Sequence, residues 1–174
     1  MRLPVLLLAL AVLPGCGVLE PAAPAPAQAG LPVPAGAQEA TVVRLVDGDT
    51  VILRGRGVGP LPAEPTRVRV LLVDTPEVHG EQECFGPEAS ERASDLLPAG
   101  SAVRVEADRD PEDRFGRALL HVWNADGVNV GEALVREGFA TVLQLDPNER
   151  YLDAFQRAEA AARDADRGLW AACG

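Results

Sequence analysis

The chain has 174 residues and a formal net charge of −10 at pH 7; 47% of its residues are hydrophobic, and all 16 basic residues are arginine. This length predicts one folded domain with one sizeable core. The acidic balance argues against a broad nucleic-acid-binding surface, because such surfaces carry a basic patch and gain affinity from counterion release. Any chemistry on a phosphodiester must therefore depend on local charges, such as a metal ion and a few arginines.

The N-terminus predicts a cleaved leader. Residues 3–13 are an apolar run that follows Arg2 and is too short to span a bilayer comfortably. The run leads into Leu-Pro-Gly-Cys at residues 13–16, which resembles the cleavage site of a bacterial lipoprotein. The resemblance implies a signal peptide at residues 1–15 and a lipid on Cys16, which would anchor the mature chain to a membrane. An ordinary secretory signal, cleaved a few residues later, is the alternative; both place the mature chain outside the cytoplasmic membrane.

The segment that starts at Cys16 predicts a linker. Residues 16–38 consist largely of alanine, proline and glycine, a composition that cannot bury a core and favours extended polyproline II structure. We therefore assign the folded domain to residues 39–174.

Two cysteines remain in the domain. Cys84 and Cys173 form an even pair in an oxidising compartment, which favours a disulfide between the loop after Glu77 and the C-terminus. Two separate thiols are the alternative. A bridge that closes a loop of about 90 residues would contribute roughly 4 to 5 kcal/mol in the chain-entropy model.

Strand and helix signals in the domain follow no βαβ rhythm. Five strands are predicted at residues 40–46, 50–53, 66–73, 101–107 and 117–123, and residues 139–145 could add a last short strand. Helices are predicted at residues 87–97, 129–138 and 146–167, from capping residues and prolines at their starts and from proline or glycine at their ends. The charged residues 108–116 are predicted to form a loop. The pattern indicates an α+β domain, a small five-stranded barrel with three packed helices.

The third strand carries an unexpected charge. Residues 69–77 read Arg-Val-Leu-Leu-Val-Asp-Thr-Pro-Glu, so Arg69 lies in a strongly apolar run that predicts a buried strand. A buried guanidinium is costly unless an anion meets it. Asp74 and Glu77, just past the strand end, offer carboxylate oxygens of the kind that hard cations bind. The combination indicates phosphate chemistry.

Four motifs occur in order along the domain: Asp-Gly-Asp-Thr at residues 47–50, the run at residues 69–77, Phe-Gly-Pro-Glu-Ala at residues 85–89 and Asp-Arg-Phe-Gly-Arg at residues 113–117. This ordered set resembles the staphylococcal nuclease family over about residues 40–172. The resemblance implies a five-stranded OB-type barrel with packed helices, in agreement with the strand and helix signals. It also implies a calcium-dependent phosphodiesterase that cuts DNA and RNA and leaves a 3′-phosphate and a 5′-hydroxyl.

The resemblance implies a metal set and a base. Asp49 and Asp74 would bind Ca²⁺ through carboxylate oxygens, and Thr75 would bind it through its backbone carbonyl. Glu77 would position or deprotonate the attacking water. In isolation, Asp-Gly-Asp is ordinary turn chemistry and Glu77 an ordinary loop glutamate.

The resemblance also implies that Arg69 and Arg117 grip the scissile phosphate. A guanidinium suits this role because it donates two parallel hydrogen bonds and stays charged. The alternatives are a structural ion pair for Arg69 and an ordinary exposed charge for Arg117.

The chain departs from the family pattern at positions expected to contact the nucleotide. Arg114 and Phe115 stand where a Lys-Tyr pair is expected, and Gln144 stands where a stacking tyrosine is expected. The loop after the metal set is shorter and carries Glu81 and Glu83 in place of lysines. These departures leave the metal-and-arginine set intact and predict weaker nucleotide binding.

Three functions compete for this sequence. The first is a lipid-tethered nuclease acting on DNA or RNA, which we expect to be a monomer. The second is a binding module that kept the barrel but lost catalysis, and the third is a surface lipoprotein with a structural role. The presence of all the expected carboxylates and arginines favours the enzyme.

Overall fold

Five strands close into a barrel, which confirms the predicted OB-type α+β fold. The strands are β1 (Gln38–Leu45), β2 (Thr50–Arg54), β3 (Pro65–Val70), β4 (Ala102–Glu112) and β5 (Ala118–Trp123), in the order β1-β2-β3-β5-β4 around the barrel. The computed structural model describes residues 30–173, so the predicted signal peptide and Cys16 lie outside the described residues. Within the described part, no helix has the length and apolar character needed to cross a membrane.

The helices pack outside the barrel. Helices α1 (Gly86–Leu96), α2 (Val130–Glu137) and α3 (Leu152–Asp164) correspond to the three predicted helices, and a short fourth helix, α4 (Leu169–Ala172), lies outside the predicted set. Helix α2 has the caps that its sequence predicts. The Asn129 side chain accepts a hydrogen bond from the Glu132 N–H at 3.0 Å, and Gly138 ends the helix with a φ of 80°.

Side chains alternate along the strands between the barrel interior and its outer face, and the inward-facing ones form the core. In β2, Val51 and Leu53 are fully buried, whereas Ile52 and Arg54 point to the outer face and are more exposed. Strand β5 is buried along its whole length because α2 packs over it. The outer face of the barrel is thus covered on one side and open on the other.

The parallel pairing of β3 with β5 positions the candidate site. Val68 lies opposite Ala118, and Arg69 lies opposite Leu119. Arg117 immediately precedes β5 and is two residues from Leu119, so it shares a sheet face with Arg69.

The start of α3 differs from the prediction. The helix begins at Leu152, and the predicted start at residue 146 is wrong. The buried Asn148 side chain accepts a hydrogen bond from the Asp110 N–H at 2.8 Å and donates one to the Asp110 carbonyl at 3.1 Å. These bonds hold the chain before α3 against β4 in a non-helical turn.

Two strand predictions also differ from the structure. Strand β4 continues to Glu112, through part of the predicted loop at residues 108–116; its pairing with β5 shifts register after Ala107 and resumes where Glu112 lies opposite Ala118. Residues 139–145 form no regular strand, and Thr141 makes one isolated bridge with Asp74.

Both ends of the described chain are held against the rest of the domain. The predicted disulfide between Cys84 and Cys173 is present, with Cα atoms 5.9 Å apart, and it ties the loop before α1 to the C-terminus. Near the other end, Leu31 packs against the core and accepts a hydrogen bond from the Trp123 indole N–H at 3.0 Å. The last residues of the predicted linker therefore contact the domain.

Candidate active site

Arg69, near the end of β3, is the centre of the candidate site. It is 5% exposed, and its Nη1 donates to the backbone carbonyls of Val70 and Val73. Its Nη2 lies 2.9 Å from Oδ1 of Asp74 and 3.2 Å from Oδ2 of Asp49. Two carboxylates from separate loops thus meet the buried guanidinium, which compensates the loss of its hydration.

Asp49 lies in the turn before β2 and faces the same guanidinium. Thr50 Oγ1 donates to its Oδ1 at 3.0 Å, and the Thr75 N–H donates to its Oδ2 at 3.3 Å. Only glycine fits at position 48, because a Cβ there would lie 2.5 Å from Thr75 Oγ1. Burial raises the pKa of Asp49 to about 6, since lost hydration outweighs the attraction of Arg69. A second cation beside this carboxylate would offset that cost.

Asp74 is fixed through its backbone and keeps a reachable side chain. Its N–H and carbonyl exchange hydrogen bonds with the Thr141 backbone, both at 2.9 Å. Partial burial raises the pKa of the Asp74 carboxyl, Arg69 opposes that rise, and the negative charge of Glu83 adds to it. A cavity of about 270 Å³, lined in part by Thr75 and Glu83, opens next to the half-exposed carboxylate. A ligand can therefore reach Asp74 from solvent.

The predicted metal donors are all oxygen atoms, the ligand type that calcium binds. One Arg69 nitrogen contacts both Asp49 and Asp74, and Thr75, whose carbonyl is the third predicted donor, is hydrogen-bonded to Asp49. Calcium takes oxygen ligands in loose geometry. Within residues 30–173, no group of three or more histidine, cysteine, aspartate or glutamate side chains is arranged to hold a metal. Because calcium takes about six to eight oxygen ligands, the three predicted donors would supply part of its coordination shell, with water and substrate as the remaining ligands.

Glu77 lies on the exposed loop after the predicted metal donors. Its N–H donates to Glu83 Oε2 at 3.0 Å, and its carbonyl accepts from the Glu83 N–H at 3.0 Å. Gly86 packs against the same carbonyl, and a Cβ there would lie 2.5 Å from it. The backbone of Glu77 is thus fixed, while no hydrogen bond or ion pair within the described residues joins its side chain to Arg69.

Arg117 flanks the site from the loop between β4 and β5. Its Nε donates to Asp113 Oδ2 at 2.7 Å, and Asp113 Oδ1 accepts from the backbone N–H groups of Phe115 and Arg117, both at 2.9 Å. Burial alone would raise the pKa of Asp113, but these hydrogen bonds outweigh it and lower that pKa below its ordinary value. The structure thus brings the predicted metal donors and Arg69 into contact, and it places Glu77 and Arg117 on flanking loops.

The positions that depart from the family pattern are exposed. Phe115 is 68% exposed, and the Arg114 guanidinium lies 4.7 Å from its ring centroid. Gln144 donates to Asp146 Oδ1 at 2.8 Å on the surface. A substrate can therefore reach both positions, although neither carries the tyrosine expected from the resemblance.

Three residues without an assigned role hold the predicted site in place. Thr141, Glu83 and Asp113 each form hydrogen bonds to one predicted site residue. Asp113 has a recognisable signal, because an aspartate that opens a glycine turn bonds the backbone two residues on. The contacts of Thr141 and Glu83 depend on how separate segments fold, and no local pattern indicates them.

Comparisons with known proteins identify the family of the chain. Residues 67–172 match the family model of staphylococcal nuclease homologues. The thermonuclease of Staphylococcus intermedius is 34% identical over 133 residues, which cover 74% of each chain. Two endonucleases of Bacillus subtilis are also similar. The SPbeta prophage-derived endonuclease YokF is 35% identical over 76% of this chain, and the endonuclease YncB is 35% identical over 77% of it. The chain spans 44% and 62% of the lengths of those two endonucleases. It belongs to the staphylococcal nuclease family.

Proposed function

We propose that the chain is a calcium-dependent endonuclease that hydrolyses phosphodiester bonds in DNA, RNA or both and leaves a 3′-phosphate and a 5′-hydroxyl. The observation that carries the proposal is the buried Arg69, which holds Asp49 and Asp74 together at the end of a barrel strand. Family membership supports it, because the matched relatives include proteins named endonuclease and thermonuclease.

The two arginines would hold the scissile phosphate from different sides. Arg69 is fixed by two backbone carbonyls and two carboxylates, so it can present its charge without reorganisation. Arg117 is held by Asp113 through Nε, which leaves its other donors for a phosphate oxygen. Both contacts should strengthen as negative charge gathers on the phosphorus oxygens in the transition state.

Glu77 would position the attacking water. Its backbone is fixed by Glu83 and Gly86, whereas its carboxylate is free to turn toward a substrate in the site. A carboxylate is a weak base at neutral pH, so its main contribution would be orientation of the water and acceptance of a hydrogen bond.

Calcium would complete the charge balance of the site. When bound, it supplies Lewis-acid stabilisation of the phosphate charge. Asp49, Asp74 and the Thr75 carbonyl would hold it. The raised pKa of Asp49 supports this placement, because a buried carboxylate with one cationic neighbour gains from a second.

We also propose that the domain works outside the cytoplasmic membrane, anchored by a lipid on Cys16, as a monomer. The disulfide between Cys84 and Cys173 supports an oxidising compartment. Mass spectrometry of the membrane fraction would detect the acylated Cys16 peptide. An intact leader peptide in the mature protein would contradict the anchor.

The activity is tested on single-stranded DNA and RNA of defined length. We expect cleavage with calcium, none with a chelator, and 3′-phosphate ends on the products. Glu77→Gln should reduce kcat by roughly 10²–10⁴. Glu81→Gln, on the same exposed loop, is the matched control and should retain activity. No calcium-dependent cleavage by the wild type would sink the proposal, and an unaffected Glu77→Gln variant would remove Glu77 from the site.

A catalytically weak or inactive nucleic-acid-binding lipoprotein is the second candidate. The exposed Phe115 and Gln144, in place of tyrosines expected to contact the nucleotide, are the observations that favour weak catalysis. This candidate predicts oligonucleotide binding without cleavage in any divalent metal, and the same assay distinguishes it.

A further inference from the structure

The arginines of this acidic protein are unevenly partnered. Most of those in residues 30–173 form ion pairs with a carboxylate, as Arg104 does with Glu39 and Arg109 with Glu149. Within the described residues, six form no such pair: Arg44, Arg54, Arg67, Arg114, Arg157 and Arg167. The first three lie on consecutive strands of the barrel, so their positive charge is concentrated.

The strand register places these three side chains on one open face. Arg44 on β1 and Arg67 on β3 both lie opposite Ile52 of β2, so the three residues form one cross-strand row. Arg54 is two residues from Ile52 on the same strand and shares its face. Arg44, Arg54 and Arg67 are all exposed, and we call them the arginine face.

The arginine face is continuous with the candidate active site. Arg67 precedes Arg69 by two residues on the same face of β3, a separation of about 7 Å. Because Val68 lies opposite Ala118 in the parallel pair, Arg117, just before β5, lies at the same level as Arg67. The positive charge therefore runs from the proposed scissile-phosphate residues outward across three strands.

The carboxylates near this face are few and mostly engaged. Glu39 on β1 pairs with Arg56 and Arg104. Asp47 accepts a hydrogen bond from the Asp49 N–H in the turn after β1. Glu64 lies just before β3, at the end of the face away from Arg69. The rest of the net charge of −10 repels a polyanion, so an approaching strand is confined to the arginine face.

We propose that the arginine face binds the backbone of a single-stranded nucleic acid as it continues away from the scissile phosphate. The proposal rests on the proposed nuclease function and names the surface that its substrate covers. Guanidinium groups suit this partner, since they bond phosphate oxygens bidentately. Anionic lipid headgroups are also negatively charged and could bind arginines. The continuity of the arginine face with Arg69 and Arg117 favours the nucleic acid as its partner.

The test compares two charge-matched triple variants. One carries Arg44→Gln, Arg54→Gln and Arg67→Gln; the other carries Arg157→Gln, Arg163→Gln and Arg167→Gln, on and just after α3. The probe is a fluorescent 20-nucleotide single-stranded DNA, titrated in chelator so that no hydrolysis occurs. The arginine-face variant should bind about tenfold more weakly. Its salt slope should be smaller by roughly 2, because each phosphate that an arginine neutralises adds about 0.7 to the slope.

Kinetics separate this surface from the chemistry. With calcium, kcat/KM for the 20-mer, divided by kcat/KM for a nitrophenyl diester of a single nucleoside, should fall about tenfold in the arginine-face variant. The α3 variant should match the wild type in this ratio. Among the three single variants, Arg67→Gln should lower this kcat/KM ratio the most, because Arg67 is nearest the site.

Three results would overturn the proposal. The first is equal loss of DNA binding in both triple variants, and the second is an unchanged Kd and salt slope in the arginine-face variant. The third is a loss of binding to phosphatidylglycerol vesicles with DNA binding intact. The chelator titration also distinguishes the two proposals, since a wild type that binds through this face but never cleaves would contradict only the nuclease function.

Discussion

Arg69 and His121 are buried ionisable side chains on neighbouring barrel strands, and they are partnered in opposite ways. Arg69, 5% exposed, meets two carboxylates and two backbone carbonyls. His121, 1% exposed, has no hydrogen-bond partner for either ring nitrogen within the described residues. The aromatic rings of Tyr151, Trp123 and Phe155 surround it, with centroids 4.9 to 6.3 Å away.

The difference shows two ways in which a buried ionisable group is accommodated. A guanidinium is always charged in proteins, so the two carboxylates beside Arg69 offset the cost of burying that charge. Burial lowers the pKa of His121 to about 4, and the opposing charge of Asp108 is too weak to prevent it. A buried charge beside an opening can act on a substrate, whereas a buried neutral ring fills the core.

The largest expected effect is that of Arg69→Met. It leaves the Asp49 carboxylate buried without its cation, a change that typically costs about 3–5 kcal/mol in the free energy of unfolding. The kcat/KM for cleavage should fall by roughly 10²–10³ or more, because the site loses a fixed guanidinium that donates hydrogen bonds to the scissile phosphate. Urea unfolding and kcat/KM measure the two effects. Arg67→Met, exposed on the same strand, is the stability control and should stay within about 0.5 kcal/mol of the wild type.

Loss of the disulfide should weaken the end of the domain that carries the site. Cys84 and Cys173 are 89 residues apart, and a closed loop of that length contributes roughly 4–5 kcal/mol in the chain-entropy model. Reductant should therefore lower the Tm of the wild type toward that of the double variant Cys84→Ser, Cys173→Ser. The double variant, which has no bridge to lose, serves as the control. A wild-type Tm indifferent to reductant would argue that the native contacts alone fix this end.

Arg117→Ala separates function from stability at the site. Its pair with Asp113 is partly exposed, so its loss should cost no more than about 1 kcal/mol in unfolding. Activity should nevertheless fall by roughly 10²–10³, because Arg117 is proposed to donate hydrogen bonds to the scissile phosphate. Arg114→Ala, three residues earlier on the same loop, should reduce activity far less. Equal losses in the two variants would assign the effect to general loop charge.

The sequence predicts Arg69 and its partner Asp74 because that signal is local, whereas Asp49, 20 residues before Arg69, is expected only from the family resemblance. An arginine inside an apolar run needs an anion, and Asp74 follows within five residues. The start of α3 could not be predicted in this way, because Asn148 bonds the backbone of Asp110, 38 residues away. His121 likewise reads as an ordinary strand residue, since its burial comes from the packing of distant rings.

Acid should destabilise the protein through His121, and this part of the acid effect is specific to that residue. The unfolded chain takes up a proton near pH 6.5, whereas the folded pKa is about 4. The unfolded state therefore binds more protons between those values, and stability falls as pH drops through that window, by about 3 kcal/mol at pH 4. His121→Leu removes the titration, so the wild type should lose about 3 kcal/mol more than the variant between pH 7 and pH 4.

Urea unfolding at both pH values gives that difference, and the carboxylates that titrate in the same range cancel between the two proteins. His79→Leu, on the exposed loop, is the control and should lose as much stability in acid as the wild type does. If wild type and His121→Leu fall by equal amounts, the ring has a partner for its proton in the folded state. His121 would then be a second partnered charge like Arg69, and the contrast between the two buried groups would fail.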